Sequence, residues 1–93
     1  MGRCKKERCC RELGGSKLFK PRGVPGRTLS INNIEIDEFE AMRLCDLEEK
    51  SQIEAAEIMG VSRGTIQRLL IKGRKKVVES LLNDKGLLIE DKK

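Results

Sequence analysis

The stretch from residue 51 to residue 72 constrains the fold of this chain most, because it predicts two short helices joined by a glycine turn. Ala56 is small, as a residue must be where a second helix crosses close over the first. Gly60 can end the first helix in a left-handed conformation at little cost. Val61 would fill the corner between the helices, and Ser62 is a good N-cap for the second. The local pattern therefore predicts a sharp, packed connection.

The two faces of the second helix differ in chemistry. Ile66 and Leu69 are spaced to face the core. The positions that remain on the outer face are basic, polar or small: Arg63, Gly64, Gln67, Arg68 and Lys72. Arginine and glutamine can each make paired hydrogen bonds to base edges in the major groove. The segment is therefore typical of a helix-turn-helix that binds double-stranded DNA in a sequence-specific way.

The charge distribution favours an anionic partner. The net charge is +5 and the pI is near 9.2. Residues 1–28 contain nine basic and two acidic side chains, residues 29–61 two basic and nine acidic, and residues 62–93 nine basic and four acidic. Residues 62–76 contain six basic side chains and no acidic one. The positive charge is thus concentrated in two segments; the alternative is that it forms only a solvated face.

Composition excludes several classes of protein. No run approaches the roughly 18 apolar residues that cross a bilayer. The N-terminus also lacks the apolar centre of a secretory signal, so we expect a cytoplasmic protein with no membrane partner. The absence of His, Trp and Tyr removes the commonest general base and the aromatic stacking used on single-stranded nucleic acids. With no nucleophile beside a base and no phosphate-binding loop, we expect no enzymatic activity.

The first third of the chain differs from the rest. Glycines and prolines interrupt residues 1–33, which predicts a basic, loop-rich N-terminal arm with short extended pieces near Leu18–Phe19 and Thr28–Ile31. Disorder is the first expectation for this arm, and packing of its few apolar residues on the helical core is the alternative. We expect residues 34–86 to form the helix-turn-helix domain and residues 87–93 a short C-terminal tail.

Three helices are predicted in this domain. The first is capped by Asp37, with Glu40 completing a capping box, and ends near residue 48. The second runs over Gln52–Met59, and the third follows Ser62 for about five turns. The positions expected to face inward are Phe39, Met42, Leu44 and Leu47, then Ile53, Ala56 and Met59, then Ile66, Leu69, Leu70, Gly73, Val77, Val78 and Leu81. The predicted fold class is all-α, a three-helix helix-turn-helix domain.

Residues 37–82 resemble region four of bacterial sigma factors and the regulators that share its helix-turn-helix. The shared features are an acidic first helix, the turn at Gly60–Ser62, the segment Arg63–Ile66 and the basic run Arg74–Lys76. With its basic, cysteine-containing arm and its Phe19–Pro25 segment, the whole chain is similar to a small uncharacterised family of prokaryotic proteins described as DNA-binding. The resemblance implies DNA binding through the third helix and regulation of transcription.

The resemblance also implies roles for individual residues. Arg63, Gln67 and Arg68 match positions that contact bases or nearby phosphates in region-four-like domains. The hydroxyls of Ser62 and Thr65 match positions that reach the DNA backbone.

Further DNA contacts are expected on both sides of this segment. Gly64 stands where region-four-like domains often have a bulkier polar residue. It would let the backbone approach the groove closely, although it lowers helix propensity by about 1 kcal/mol relative to Ala. Phosphate contacts are assigned to the basic residues along the third helix: Lys72, Arg74, Lys75 and Lys76. The basic arm is expected to follow the DNA backbone or enter the minor groove.

The four cysteines raise a second kind of site. Cys4, Cys9, Cys10 and Cys45 could together hold a zinc ion. No two of them form a C-x-x-C pair, however, and Cys45 fits a small buried residue on the first helix. We therefore expect no metal and no cofactor. Structural zinc, and thiol-based metal or redox sensing by the arm, are the alternatives.

The sequence also indicates surfaces that could bind protein. The acidic residues between positions 35 and 57 could bind protein, so one alternative to a DNA-binding regulator is a module that engages RNA polymerase. One helix-turn-helix reads only a few base pairs, and tight specific binding therefore favours a homodimer. The expected dimer surface is the apolar tail Leu87–Ile89 together with the outer part of the third helix.

Overall fold

Three helices and a three-stranded sheet form the fold. The computed structural model describes residues 15–90. The main elements in chain order are β1 (Lys17–Phe19), β2 (Ile31–Ile34), α1 (Ile36–Met42), α2 (Gln52–Met59), α3 (Arg63–Leu82) and β3 (Gly86–Ile89). A 3-10 turn, Gly26–Thr28, lies between β1 and β2, and a π-helical segment, Arg43–Leu47, continues α1. None of the helices in residues 15–90 is both long and apolar enough to cross a membrane.

The prediction of an all-α fold is wrong, because the chain forms a mixed sheet and the fold is α/β. β3 lies between the other two strands. It runs antiparallel to β1, with Leu18 opposite Leu88, and parallel to β2, with Asn32 opposite Leu87. Strands of three or four residues are too short to show a reliable alternation, and β2 carries two asparagines, which are uncommon in strands. Of the two extended pieces predicted, the one at Leu18–Phe19 is confirmed.

The apolar segment near the C-terminus is the central strand. Ile89 of β3 and Ile34 of β2 are both buried. The side chain of Asn32 fixes this sheet to the second half of α3, because its Nδ2 donates to the carbonyl oxygen of Lys76 at 3.3 Å and to Ser80 Oγ at 3.1 Å. Segments assigned from the sequence to the arm and to the tail therefore pack together against the helices.

The predicted capping box of Asp37 and Glu40 is also wrong. α1 starts at Ile36 after an N-cap at Glu35. The Oε1 of Glu38 accepts a hydrogen bond from the N–H of Glu35 at 3.0 Å, which is the reciprocal bond of a capping box. Glu40 is not available for that role, since both of its carboxylate oxygens accept bonds from Arg43.

The bounds of the second and third helices agree with the prediction. α2 spans Gln52–Met59, and α3 begins after an N-cap at Ser62. The start of α2 carries a capping box that the sequence reading missed. Ser51 Oγ accepts from the N–H of Glu54 at 3.0 Å, and Glu54 Oε1 accepts from the N–H of Ser51 at 2.9 Å. The second bond holds the pKa of Glu54 below its ordinary value.

The hydrophobic core lies where the three helices meet. Its buried members are Ala41, Leu44, Ala55, Ala56, Met59, Ile66, Leu69 and Leu70, with Met42, Cys45 and Val61 packed against them. Gly73 lets α1 approach α3 closely, because a Cβ atom there would lie 2.9 Å from Met42 Cε. The inward positions predicted at Leu44, Ala56, Met59, Ile66, Leu69, Leu70 and Gly73 are confirmed.

Four positions predicted to face the core lie outside it. Leu47, Ile53, Val78 and Leu81 are 75%, 60%, 62% and 72% exposed. The π-helical segment carries Leu47 off the buried face, because each of its residues turns by less than in an α-helix. Ala55 completes the buried face of α2 in place of Ile53. In the second half of α3, Ser80 rather than Leu81 packs beneath the sheet.

Candidate nucleic-acid interface

The turn between α2 and α3 fixes the relation of the two helices. Gly60 ends α2 with φ 72° and ψ 36°, a left-handed conformation in which a side chain would be strained. The N–H of Val61 donates to the carbonyl oxygen of Ala56 at 3.0 Å, which closes the end of the helix. The Val61 side chain then packs against the core. The roles predicted for Gly60 and Val61 are confirmed.

Hydroxyl groups organise the first turn of α3. Ser62 Oγ accepts a hydrogen bond from the N–H of Thr65 at 3.1 Å and lies 3.0 Å from Thr65 Oγ1. Thr65 Oγ1 in turn accepts a bond from Nη2 of Arg68 at 3.2 Å. This chain of bonds restricts the Arg68 side chain, so the guanidinium would lose less conformational entropy when it meets an anion.

The outer face of the first three turns of α3 is open to solvent. All five residues predicted to face outward are exposed: Arg63, Gly64, Gln67, Arg68 and Lys72. No carboxylate in residues 15–90 forms an ion pair with Arg63, Arg68 or Lys72. Three cationic side chains and one amide are therefore available on this face to an external anion.

The basic run at residues 74–76 divides between two roles. Arg74 makes two bonds to the carboxylate of Asp46, at 3.2 Å and 2.6 Å, and this pairing raises the pKa of its guanidinium. Lys76 Nζ donates to Oε1 of the buried Glu38 at 2.8 Å. Lys75 is exposed and forms no ion pair within the described chain. Two of the three predicted phosphate contacts thus also join α3 to α1 and its π-helical extension.

The acidic side chains near α1 take part in the same internal pairing. Glu40 receives two bonds from Arg43, at 2.9 Å and 2.8 Å, and Glu48 pairs with the same guanidinium. Glu38 and Asp46 bind side chains of α3. These intramolecular pairs leave fewer carboxylates available to a separate protein.

Of the four cysteines considered as zinc ligands, only Cys45 lies within the residues that the structure describes. Cys4, Cys9 and Cys10 lie outside residues 15–90, as do the basic residues of the first part of the arm. Cys45 lies in the π-helical segment, where burial, with a smaller contribution from the Asp46 carboxylate, raises the pKa of its thiol. Within the described residues, no three His, Cys, Asp or Glu side chains are arranged to hold a metal ion.

The sequence reading missed an apolar stripe on the outer face of α3. Ile71, Val78 and Leu82 are 60%, 62% and 77% exposed. The spacing of seven and four residues places them on one side of the helix. The same spacing is visible in the sequence, but Val78 also follows Val77 in the apolar period that predicts the inward face of this helix.

Comparison with known proteins gives one consistent family. The family described as "Protein of unknown function DUF134" matches residues 1–92. A UPF0251 protein of Shewanella pealeana is 40% identical over 87 residues, which cover 94% of this chain and 88% of that protein. A UPF0251 protein of Halothermothrix orenii is 42% identical over 90 residues, covering 97% and 67% of the two chains.

The family extends to archaea and to longer chains. A UPF0251 protein of Methanocella arvoryzae is 46% identical over 77 residues, which cover 83% of this chain and 46% of that protein. No solved structure matches significantly. The match along almost the whole sequence, from bacterial and archaeal relatives alike, shows that this chain belongs to the DUF134 (UPF0251) family.

Proposed function

We propose that this protein binds double-stranded DNA through α2 and α3 and regulates transcription. The observation that carries the proposal is the exposed face formed by Arg63, Gln67 and Arg68 at the start of a helix whose position is fixed by the Gly60 turn. Arginine and glutamine are side chains that recognise base edges, and in a helix-turn-helix the first residues of the second helix make these contacts.

In the proposed complex, the N-terminal half of α3 enters the major groove. Arg63 and Gln67 are one helical turn apart and project from one face, so they can reach neighbouring base pairs. Arg68 projects about 100° around the helix from Gln67, on the adjoining side, and its Nη2 donates to Thr65 Oγ1. At Gly64, the nearest atoms to an added Cβ are on Arg68 and Ser62, at 3.7 Å and 3.9 Å. The absence of a side chain there lets the helix backbone approach the DNA.

The internal pairs described above refine the proposed phosphate contacts. Lys72 and Lys75 are exposed without an ion-pair partner in residues 15–90 and are assigned to phosphates. Arg74 and Lys76 are assigned chiefly to positioning α3, because each already has a carboxylate partner. The contribution of the basic arm beyond the described residues remains part of the proposal.

The alternative of a module that engages RNA polymerase has less support. It depends on a free acidic surface, and this surface is reduced because Glu38, Glu40, Asp46 and Glu48 are held in intramolecular ion pairs. Between positions 35 and 57, the carboxylates that stay exposed without an ion pair in residues 15–90 are Glu35, Glu49, Glu54 and Glu57. By contrast, the cationic side chains on the outer face of α3 include three without a carboxylate partner in the described chain.

The test is selection from random duplexes followed by titrations at several salt concentrations. We expect one sequence to be enriched. Arg63→Ala should relax the preference at one base position and cost about 1–3 kcal/mol in binding free energy. Lys75→Ala should lower the slope of log K against log salt by about 0.9 without changing the preferred sequence. Lys85→Ala is the control, because Lys85 is a cation outside the arm, α2 and α3 and pairs with Glu79 beside the sheet.

Two results would count against the proposal. Absence of binding at low salt would refute it directly. Equal binding to all sequences, with Arg63→Ala behaving like Lys85→Ala, would replace specific recognition by sequence-independent binding through phosphates.

A further inference from the structure

Ile71 lies in the middle of the face of α3 that we assign to DNA. It follows Gly64 by seven residues and Gln67 by four, so at 100° per residue it projects within about 20° of the first and about 40° of the second. Arg68 projects about 60° from Ile71 on the other side. Ile71 is 60% exposed, so its side chain is not needed to complete the hydrophobic core.

The side chain of Ile71 leans toward the recognition residues. Side chains of an α-helix point back toward its N-terminus, so Ile71 covers the turn that carries Gln67 and Arg68. Gly64, one turn earlier again, has no side chain that would hold a ligand away from this surface. A single exposed isoleucine is ordinary on a protein surface, and this one differs because it stands between a glutamine and an arginine.

The charges around Ile71 indicate what it meets. Arg68, Lys72 and Lys75 project within about 100° of it, and none has a carboxylate partner in residues 15–90. An apolar protein surface that covered Ile71 would also remove these cations from water without pairing them, which is costly. The major groove instead supplies phosphates at its edges, and the apolar group that it presents at the base edges is the C5 methyl of thymine.

We propose that Ile71 contacts the C5 methyl group of a thymine and thereby selects a T·A pair at one position of the DNA site. This contact rests on the proposed function, because it exists only if α3 enters the major groove. The apolar residues further along this side of α3, Val78 and Leu82, lie at least about 10 Å farther from the end that enters the groove. The contact is therefore assigned to Ile71.

The spacing of Gln67 and Ile71 places the thymine. Their positions differ by about 6 Å along the helix axis, and neighbouring base pairs are about 3.4 Å apart. The thymine should therefore lie within about two base pairs of the base that Gln67 contacts. Gln67→Ala identifies that base, because it relaxes the preference at its own position.

The experiment is a double-mutant cycle on the duplex that the wild-type protein selects. Each thymine of the site is replaced in turn by deoxyuridine, which removes the methyl group and keeps the hydrogen-bonding groups of the base pair. Each duplex is titrated with the wild type and with Ile71→Ala at one salt concentration. We expect deoxyuridine at one position to weaken wild-type binding by about fourfold, the effect of one buried methyl group, and to leave the binding of Ile71→Ala unchanged.

Ile53→Ala is the matched control, because Ile53 is an isoleucine on α2 that is also 60% exposed. It should remain as sensitive to deoxyuridine as the wild type. Thermal unfolding should show that both alanine variants are folded, because each replaces an exposed residue with a strong helix former.

The outcomes separate this contact from the proposed function. If a sequence is selected but the wild type binds every deoxyuridine duplex equally, the thymine contact is wrong while DNA binding stands. The same holds if Ile71→Ala stays as sensitive as the wild type, or if the sensitive thymine lies more than about two base pairs from the position that Gln67→Ala relaxes. Selection of no sequence would overturn both the contact and specific DNA binding.

Discussion

Lys76 Nζ lies 2.8 Å from Glu38 Oε1, and the same carboxylate oxygen accepts the N–H of Glu35, so one buried group ties α3 to the start of α1. Glu38→Gln removes the negative charge and leaves the ammonium of Lys76, whose side chain is only 26% exposed, without its partner. We expect the free energy of unfolding to fall by about 2 kcal/mol, because an unpaired, largely buried charge is costly. Urea unfolding at pH 7 measures this loss.

The control for this variant is Glu57→Gln, which neutralises an exposed carboxylate on α2. It should change the free energy of unfolding by no more than about 0.5 kcal/mol. Equal effects of the two substitutions would mean that the pair between α1 and α3 contributes little to stability.

Lys72 and Lys76 should behave differently in DNA binding, although both are basic residues of α3. Lys72→Met should reduce the salt dependence of binding by about 0.9 and leave stability nearly unchanged, because Lys72 is exposed. Lys76→Met should lower stability and leave the salt dependence nearly unchanged, because its ammonium is bound to Glu38. Titrations across a salt series and urea unfolding separate the two. Equal salt slopes would show that Lys76 leaves Glu38 to contact phosphate.

Substitutions at two glycines should have opposite effects on stability. Gly60→Ala should destabilise the fold by about 1–2 kcal/mol, because Gly60 has a left-handed conformation. Gly64→Ala should stabilise it by up to about 1 kcal/mol, because Gly64 lies inside α3 and an added Cβ meets no atom nearer than 3.7 Å. Thermal unfolding of the two variants checks both signs.

The Gly64→Ala variant also separates stability from recognition. If the backbone of α3 approaches the DNA closely at this position, the more stable protein should bind DNA more weakly. Unchanged affinity together with higher stability would place Gly64 away from the duplex surface.

Cys45 should react slowly with alkylating reagents in the folded protein. Burial raises the pKa of its thiol, so the neutral form, which is not the nucleophile, predominates at neutral pH. The measurement is the rate of iodoacetamide modification at pH 7.5 in a variant with Cys4, Cys9 and Cys10 replaced by Ser. The urea-unfolded form of the same variant serves as the reference. A folded rate equal to the unfolded rate would show that Cys45 is accessible, as redox sensing by this residue requires.

The helix-turn-helix segment could be predicted from the sequence because its determinants are local. The left-handed glycine at position 60, the hydroxyl cap at position 62 and the apolar spacing of Ile66 and Leu69 lie within ten residues. Each acts on its own turn of helix. The structure confirms this geometry, whereas DNA binding itself stays a prediction that depends on the chemistry of the exposed side chains.

The sheet and the ion pairs could not be predicted in the same way, because they join residues far apart in the chain. Asn32 bonds to Ser80, and Glu38 pairs with Lys76. Nothing in the spacing of these residues indicates which partner each will meet. The exposure of Val78 has a related cause: a helical period shows that a residue shares a face with others, but not whether another element covers that face.

The position of β3 has a consequence for how the protein forms during synthesis. β1 and β2 leave the ribosome first, yet they do not pair with each other; each pairs with β3. Their backbone groups therefore stay without strand partners until almost all of residues 15–90 have been made. The buried residues of the helical core lie between positions 41 and 70, all earlier in the chain than β3. This core can therefore form before β3 has been synthesised. We expect the nascent chain to resist proteolysis in its helices first and in residues 17–34 only when β3 has emerged.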